Sequence, residues 1–306
     1  MSSFAAVGAL QLGFIYGLVA IGILLSFRML NFPDLTVDGS FPLGAAASAA
    51  TVIAGGNPWL ALAIGALAGA MAGTLTAWLS EKLGILNLLA GILTMTALYS
   101  INIRIMGRPN QALLGQYTVI ESLEGLGMDT TWAKLVVSAM ICGLAVLLVG
   151  GFLASRYGLS LRATGANPRM AGAVGIPCSQ RIYVGLALSN GLCGLAGALF
   201  AQVYGFADVS MGLGTIVIGL AALILGEAFV RSFSPFAALL ACVAGAIAYR
   251  FTIALALESD ALGLTTSDLN LISAVVVTAA FLLTRHSRRL RLQMKQQPPK
   301  VSSGST

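Results

Sequence analysis

Residues 161–177, with the sequence LRATGANPRMAGAVGIP, form a polar interruption between the hydrophobic segments of this 306-residue chain. Asn167 followed by Pro168 predicts a helix start, because the Asn side chain can accept a hydrogen bond from an early N–H and Pro fits the first helical position. Gly175 and Pro177 predict the end of the helix. A helix of about two turns is marginal in water unless another surface packs on it. We therefore expect this segment to dock on a partner.

The apolar side chains of this short helix predict its docking face. Met170, Ala171 and Val174 fall on one side of the helix, and Arg162 and Arg169 flank it. We expect the helix to lie at a membrane surface and to press a small apolar patch into another protein.

The composition of the whole chain indicates a polytopic membrane protein. Hydrophobic residues make up 58% of the chain and charged residues only 9%, which excludes a soluble globular domain. Six of the 17 Lys and Arg residues lie in the tail 285–306 and account for the net charge of +6. A basic tail beside a membrane is typical of an orientation signal or a contact with anionic lipid, so no nucleic-acid partner is expected.

Apolar runs of about 20 residues predict an all-α bundle of about nine transmembrane helices, within a membrane domain over residues 1–284. With the tail in the cytoplasm, the N-terminus lies outside and the loop 155–181 lies inside, in agreement with the positive-inside rule. A tenth or re-entrant segment within 28–42 is also compatible with the pattern. The expected spans are 4–27, 36–54, 59–80, 85–106, 132–154, 182–204, 212–230, 235–257 and 268–284.

A short internal repeat relates the two ends of the membrane domain. Residues 32–37 (FPDLTV) match residues 206–211 (FADVSM), and each copy follows one predicted span and begins the next. The copies lie five predicted spans apart, an odd number, which predicts halves of opposite orientation at about 4–106 and 182–284. Inverted repeats are typical of transporters whose path lies near the interface of the repeats.

Three acidic residues embedded in apolar sequence are candidates for lining such a path: Asp34, Asp38 and Asp208. A charge deep in a bilayer costs about 2.5–3.5 kcal/mol even on the lenient insertion scale, so each acid needs a partner or a wet cavity. Asp34 and Asp208 also stand where a carboxylate can cap the following helix, and the two roles are compatible. Neutral groups near the path are expected from Thr36, Ser40, Asn87, Thr94 and Ser210.

Enzyme motifs are missing from the sequence. Its one histidine, His286, lies in the basic tail, and no HExxH, GxSxG or Walker A pattern occurs. We therefore expect no catalytic residue, no metal site and no bound cofactor in this chain. If ATP is used, another polypeptide binds it.

Two stretches of the sequence resemble a known family. GANP at 165–168 and LALSNGLCGLAGAL at 186–199 resemble the permease subunits of bacterial ABC importers of the branched-chain amino acid and ribose type. The run NFPDLTVDGSF at 31–41 is similar to a subgroup paired with binding proteins for aromatic amino acids or related solutes. The resemblance covers nearly all of 8–285.

This resemblance implies a permease of the bacterial inner membrane that pairs with a second permease copy. It also implies cytoplasmic ATPase subunits, which carry ATP and Mg²⁺, and an extracytoplasmic binding protein that delivers the solute. The segment 162–177 would be the coupling helix, although Gly-Ala-Asn replaces the family's usual Glu-Ala-Ala. The residues expected to contact the ATPase are Gly165, Asn167, Pro168, Arg169, Met170, Ala171, Val174 and Gly175.

Two other classes of protein stay open on the residues alone. An ion-coupled secondary transporter would also show inverted repeats and embedded acids, but it would not need a docking helix. A membrane scaffold or sensor that transports nothing would tolerate replacement of Asp34 and Asp208 by Asn.

Overall fold

The computed structural model describes residues 3–125, 127–229 and 234–258, together with residues 275 and 278. A π-helical segment, Leu24–Met29, continues the first helix, and a 3₁₀ turn, Val209–Gly212, precedes α10. Two short strands, β1 (Asn110–Ala112) and β2 (Phe206–Asp208), pair in antiparallel orientation. The α-helices in the described residues are α1 (Ser3–Ile23), α2 (Val37–Ile53), α3 (Pro58–Glu81), α4 (Asn87–Met106), α5 (Val119–Glu124), α6 (Thr130–Ala154), α7 (Arg156–Ala166), α8 (Pro168–Ala173), α9 (Cys178–Tyr204), α10 (Thr215–Phe229) and α11 (Pro235–Glu258).

The prediction of a helical membrane bundle is confirmed. In the described part of the chain, 7 helices are long and apolar enough to cross a membrane, and α2, with 17 residues, covers the predicted span 36–54. The last predicted span, 268–284, lies almost wholly outside the described residues, and the basic tail lies outside them altogether. The β1–β2 pair was not predicted, because strands of three residues in polar loops leave no periodic pattern.

Glycines bring α2, α3 and α9 into close contact. A Cβ atom on Gly69 of α3 would overlap the carbonyl oxygen of Asn190, and one on Gly44 of α2 would overlap the carbonyl oxygen of Gly194. Small residues at such positions let helix backbones approach each other closely in a membrane. The three helices therefore form one tightly packed unit.

The buried side chain of Gln202, near the C-terminal end of α9, connects four helices. Its Nε2 donates to Ser48 Oγ and to the carbonyl oxygen of Pro58, both at 3.0 Å. Its Oε1 accepts from the N–H of Val119 at 3.1 Å. A buried amide with these partners fixes a unique arrangement of its neighbours, so α2, α3 and α5 are held against α9.

The outer surface of the bundle is apolar. Leu67 and Met71 of α3 and Leu147 and Leu148 of α6 are between 65% and 71% exposed. Surface of this kind is unfavourable in water and matches the chains of a lipid bilayer. Most apolar side chains of α1 are instead buried, so α1 runs through the interior of the bundle.

Candidate functional site

Asp34 lies in a buried polar cluster that joins the segment before α2 to the middle of α9. Its side chain is fully buried. Its Oδ1 accepts from the N–H of Thr36 at 2.9 Å, and its Oδ2 accepts from Asn190 Nδ2 at 2.6 Å. Asn190 Oδ1 in turn accepts from Ser40 Oγ at 2.7 Å. These bonds hold the turn that precedes α2 and anchor the start of α2 to α9.

A chain of three buried hydroxyl groups extends this cluster across α3 to α4. Thr36 Oγ1 and Thr76 Oγ1 lie 2.7 Å apart, and Thr76 Oγ1 donates to Thr94 Oγ1 at 3.0 Å. The start of α2 and the helices α3, α4 and α9 thus share one continuous hydrogen-bond network. Hereafter the Asp34 cluster denotes Asp34, Thr36, Ser40, Thr76, Thr94 and Asn190.

Sequence reasoning missed two members of the Asp34 cluster, Thr76 and Asn190. Each is a polar residue inside a predicted apolar span, which is a weak signal, because most such residues serve helix packing. Asn87, which the sequence grouped with Thr94, lies elsewhere. Its Oδ1 accepts from Ser80 Oγ at 2.6 Å, across the turn between α3 and α4.

Asp38, in the first turn of α2, connects α2 to α10. Its Oδ1 accepts from the N–H of Ile216 at 2.8 Å, and this N–H belongs to the first turn of α10, where backbone donors lack partners within the helix. The starts of α2 and α10 therefore meet at this carboxylate. A cavity of about 230 Å³ lies beside the contact, between α2, α4 and the 3₁₀ turn.

Asp208 and Ser210, in the second copy of the repeat, lie beside the β1–β2 pair. Asp208 Oδ1 accepts from the N–H and the hydroxyl of Ser210, and its Oδ2 accepts from Asn110 Nδ2 at 2.8 Å. Burial acts to raise the pKa of Asp208, but the hydrogen bonds from Ser210 and Asn110 outweigh it and hold the pKa below its ordinary value of 3.8. The carboxylate caps the 3₁₀ turn before α10.

Asn167 caps α8 in the manner that its position before Pro168 predicts. The N–H of Met170 donates to Asn167 Oδ1 at 3.1 Å. Met170 and Val174 are 66% and 67% exposed, whereas Ala171 is only 2% exposed. The expectation that Ala171 shares their outward face is therefore wrong, and the exposed apolar patch consists of the two larger side chains.

Residues 156–166, which the sequence analysis left without a structure, form helix α7. Ser155 caps this helix, since its Oγ accepts from the N–H of Gly158 at 3.2 Å. Near the other end, a Cβ atom on Gly165 would overlap the carbonyl oxygen of Met29, so the α7 backbone lies directly against the π-helical segment. Arg28 Nε in that segment pairs with Glu227 Oε1 of α10 at 2.9 Å. Helix α7 therefore contacts the backbone that leads to the Asp34 cluster, and α8 is joined to it through α7.

These features define a class of protein: a multi-pass helical bundle with polar groups buried between its spans and a short helix, α8, that carries two exposed apolar side chains. The chain belongs to the family described as the branched-chain amino acid transport system permease component, whose model matches residues 5–287. The resemblance to ABC transporter permeases is thereby confirmed.

Individual relatives agree with this membership. The chain is 36% identical over 287 residues to a tyrosine transport system permease protein of Clostridioides difficile (strain R20291), over 94% of this chain and 92% of that protein. It is 36% identical over 262 residues to an uncharacterized protein of Rickettsia prowazekii (strain Madrid E), over 84% and 89% of the two chains. The structure of PsaBC from Streptococcus pneumoniae in complex with Fab matches 96% of both chains with a TM-score of 0.54 and 16% identity. This last likeness concerns the fold alone.

Proposed function

We propose that this chain is the membrane-spanning subunit of an ABC importer for an amino acid or a related small solute, and that it works as a homodimer in the bacterial inner membrane. The family and the similarity to a tyrosine transport permease support the amino-acid class of solute. In this proposal the chain carries no catalytic residue, and ATP and Mg²⁺ are bound by a separate ATPase subunit.

The proposed orientation places α7 and α8 on the cytoplasmic side and the N-terminus outside. The basic tail then lies in the cytoplasm, where cationic residues near anionic lipid are favoured. An extracytoplasmic binding protein delivers the solute to the opposite face, which carries the loop that contains β1 and α5.

The exposed patch formed by Met170 and Val174 is the observation that carries this proposal. A helix of 6 residues, Pro168–Ala173, is too short to be stable by propensity alone, and two large apolar side chains on its outer face favour a protein partner. The ATPase subunit is that partner, and the coupling contacts come from the segment 165–175, with Ala171 supporting the helix from inside.

Movement of α8 is proposed to reach the solute path through close backbone contacts. When the ATPases close on ATP, α7 moves with α8 and shifts the π-helical segment against which Gly165 packs. That segment leads directly to Asp34, so the start of α2 changes its position relative to α9. ATP and the binding protein can drive this change only if they bind the inward-open and outward-open states with unequal affinity.

The proposal is tested by placing negative charges on the exposed patch formed by Met170 and Val174. We expect the double variant Met170→Glu, Val174→Glu to insert normally but to retain less than about one tenth of the ATPase that copurifies with the wild-type chain, because a buried unpaired charge opposes docking. Leu114→Glu is the matched control, since Leu114 is 88% exposed and lies in the loop on the opposite face. The measurement is the ATPase-to-permease ratio after purification from membranes, together with ATP-driven uptake into vesicles.

Two results would contradict the proposal. One is undiminished ATPase binding and uptake in the double variant, which would remove the docking role of α8. The other is a wild-type chain that purifies without an ATPase and transports solute with an ion gradient alone, which would establish the secondary-transporter alternative.

A further inference from the structure

The cavity beside Asp38 lies where the starts of two helices meet. Asp38 of α2 accepts from the first turn of α10, and a Cβ atom on Gly212 would overlap the carbonyl oxygen of Asp38. The cavity is bordered there by Asp38, Pro42, Tyr99, Asn102 and Leu213. Helices that begin inside the membrane, one in each half of a repeat, commonly build transporter solute sites.

Asn102 contributes a buried acceptor that no described residue satisfies. Its side chain is fully buried, and its Nδ2 donates to the carbonyl oxygen of Gly39 at 3.4 Å. This bond orients the amide, and Oδ1 then has no hydrogen-bond partner among the described residues. A buried acceptor left unpaired loses the hydrogen bonds that it would make in water, so a ligand that donates a hydrogen bond here would recover that loss.

Asp38 has backbone partners but no cationic one. Its carboxylate accepts from the N–H groups of Ile216 and Gly214, and within the described residues no lysine, arginine or histidine forms a salt bridge with it. An acid within an apolar span needs a partner or a wet cavity. The cavity therefore has two hydrogen-bond acceptors on its wall, one of them an acid, and no cation to match them.

The part of α4 beside this cavity carries exposed polar groups. Thr96, Tyr99 and Ser100 are all exposed there, and Thr96 and Tyr99 border the cavity. The Thr96 hydroxyl bonds the carbonyl oxygens of Ile92 and Leu93 in its own helix, so it does not compete for the acceptors of the cavity.

We propose that this cavity binds the primary ammonium group of the transported solute, with Asp38 and Asn102 Oδ1 accepting its hydrogen bonds. An ammonium group supplies a positive charge and three donors, which match an acid and a neutral acceptor. The volume of this cavity, about 230 Å³, is smaller than that of sites for drug-sized ligands, which is roughly 300–1,000 Å³. The smaller volume suits a small amino acid or amine. This inference rests on the proposed import of an amino-acid-like solute and specifies which part of that solute the permease recognises.

Binding of a simple ammonium ion tests the site directly. The full-length chain in lipid nanodiscs is heated with ethylammonium chloride, tetramethylammonium chloride or sodium chloride at equal ionic strength. We expect ethylammonium alone to raise the melting temperature, by about 2 °C at a few times its Kd. Tetramethylammonium carries the charge without N–H donors, and sodium carries it as an inorganic ion.

Two variants assign the effect to the cavity. Asp38→Asn keeps an oxygen for the N–H of Ile216 and removes the charge, while Asn102→Leu removes the acceptor at similar volume. We expect both to abolish the ethylammonium shift and to lower ATP-driven uptake of a labelled amino-acid mixture at least about tenfold in proteoliposomes with the ATPase and the binding protein. Thr74→Val is the control, because the Thr74 hydroxyl bonds its own helix at the carbonyl oxygen of Met71, away from the cavity.

The outcomes separate this inference from the proposed function. An equal shift with sodium, or wild-type behaviour of both variants, would overturn the ammonium site while amino-acid uptake by the wild type leaves the proposed function intact. No uptake of any amino acid by the wild type would overturn the proposed function, and the ammonium assignment with it.

Discussion

The two copies of the FPDLTV-like repeat have the same pattern of residues and very different surroundings. Asp34, in the first copy, is fully buried and bonds Asn190 of α9. Asp208, in the second copy, is partly exposed and bonds Asn110 of β1. Both carboxylates also accept from the backbone N–H two residues later, at 2.9 and 2.7 Å.

This comparison shows what the repeated pattern encodes. The shared part is a local turn in which an aspartate side chain accepts from the N–H two residues later, just before or at the start of the next helical element. The partner of the second carboxylate oxygen differs, because it is set by the neighbouring element in the fold. Replacement of Asp34 should therefore lower the free energy of unfolding much more than replacement of Asp208.

Asp34→Ala is expected to have the largest effect. The change leaves the N–H of Thr36 and one of the two N–H groups of Asn190 Nδ2 buried without an acceptor, while the other still donates to the carbonyl oxygen of Leu186. We expect a cost of about 2–4 kcal/mol in the free energy of unfolding. Thermal unfolding of the purified chain in detergent measures the loss. Asp34→Asn retains one acceptor oxygen and should lie between the wild type and Asp34→Ala; equal melting temperatures for all three would contradict the role of the Asp34 cluster.

Gly165→Ala is expected to have an intermediate effect, felt in coupling more than in stability. The new methyl group would overlap the carbonyl oxygen of Met29 and push α7 away from the π-helical segment before the first repeat copy. We expect solute imported per ATP hydrolysed to fall at least about threefold in proteoliposomes. Gly151→Ala in α6 is the matched control, since a Cβ atom there meets nothing within 4 Å and the residue lies outside the proposed docking segment. If the two variants import the same amount of solute per ATP hydrolysed, the movement of the ATPases is not transmitted through this contact.

Asp208→Ala is expected to have the smallest effect, about 0.5–2 kcal/mol, the usual range for loss of a helix cap. Because hydrogen bonds lower the pKa of Asp208 in the folded chain, its stabilising contribution is present above its ordinary pKa and is lost as the pH falls through the folded value. The difference in melting temperature between Asp208→Ala and the wild type should therefore be present at pH 7 and shrink as the pH falls below the ordinary pKa of 3.8. A difference that persists unchanged in acid would show that the charge of Asp208 is not its source.

Most of the fold could be predicted from the sequence because its signals are local. Long apolar runs give the spans, and Asn167-Pro168 and Gly175 give the ends of α8. Helix α7 was missed because its residues are polar and glycine-containing, without a clear apolar stripe. The inverted orientation of the two halves stays a prediction.

The candidate site could be predicted only in part, because its geometry depends on which helices are neighbours. Asp34 and Asp38 are visible as acids in apolar sequence, yet nothing in their spacing indicates Asn190 or Ile216 as partners. Asn102 was not singled out, since a lone amide in a span usually serves packing. Ala171 shows the converse error: its i,i+3 spacing groups it with Val174, but only the contacts of α8 decide which side faces inward.

Because of the π-helical segment Leu24–Met29, the position of Asp34 depends on the number of residues in that segment as well as on which residues they are. Its N–H groups reach back five residues, as in the 3.0 Å bond from Leu30 to Leu25, so the segment holds one residue more than an α-helix would. If the same residues formed an ordinary α-helix, everything that follows would turn by about 100° relative to α1. Relatives that lack one residue here can keep this carboxylate in register with α9 by forming ordinary α-helix in place of the π-helical segment.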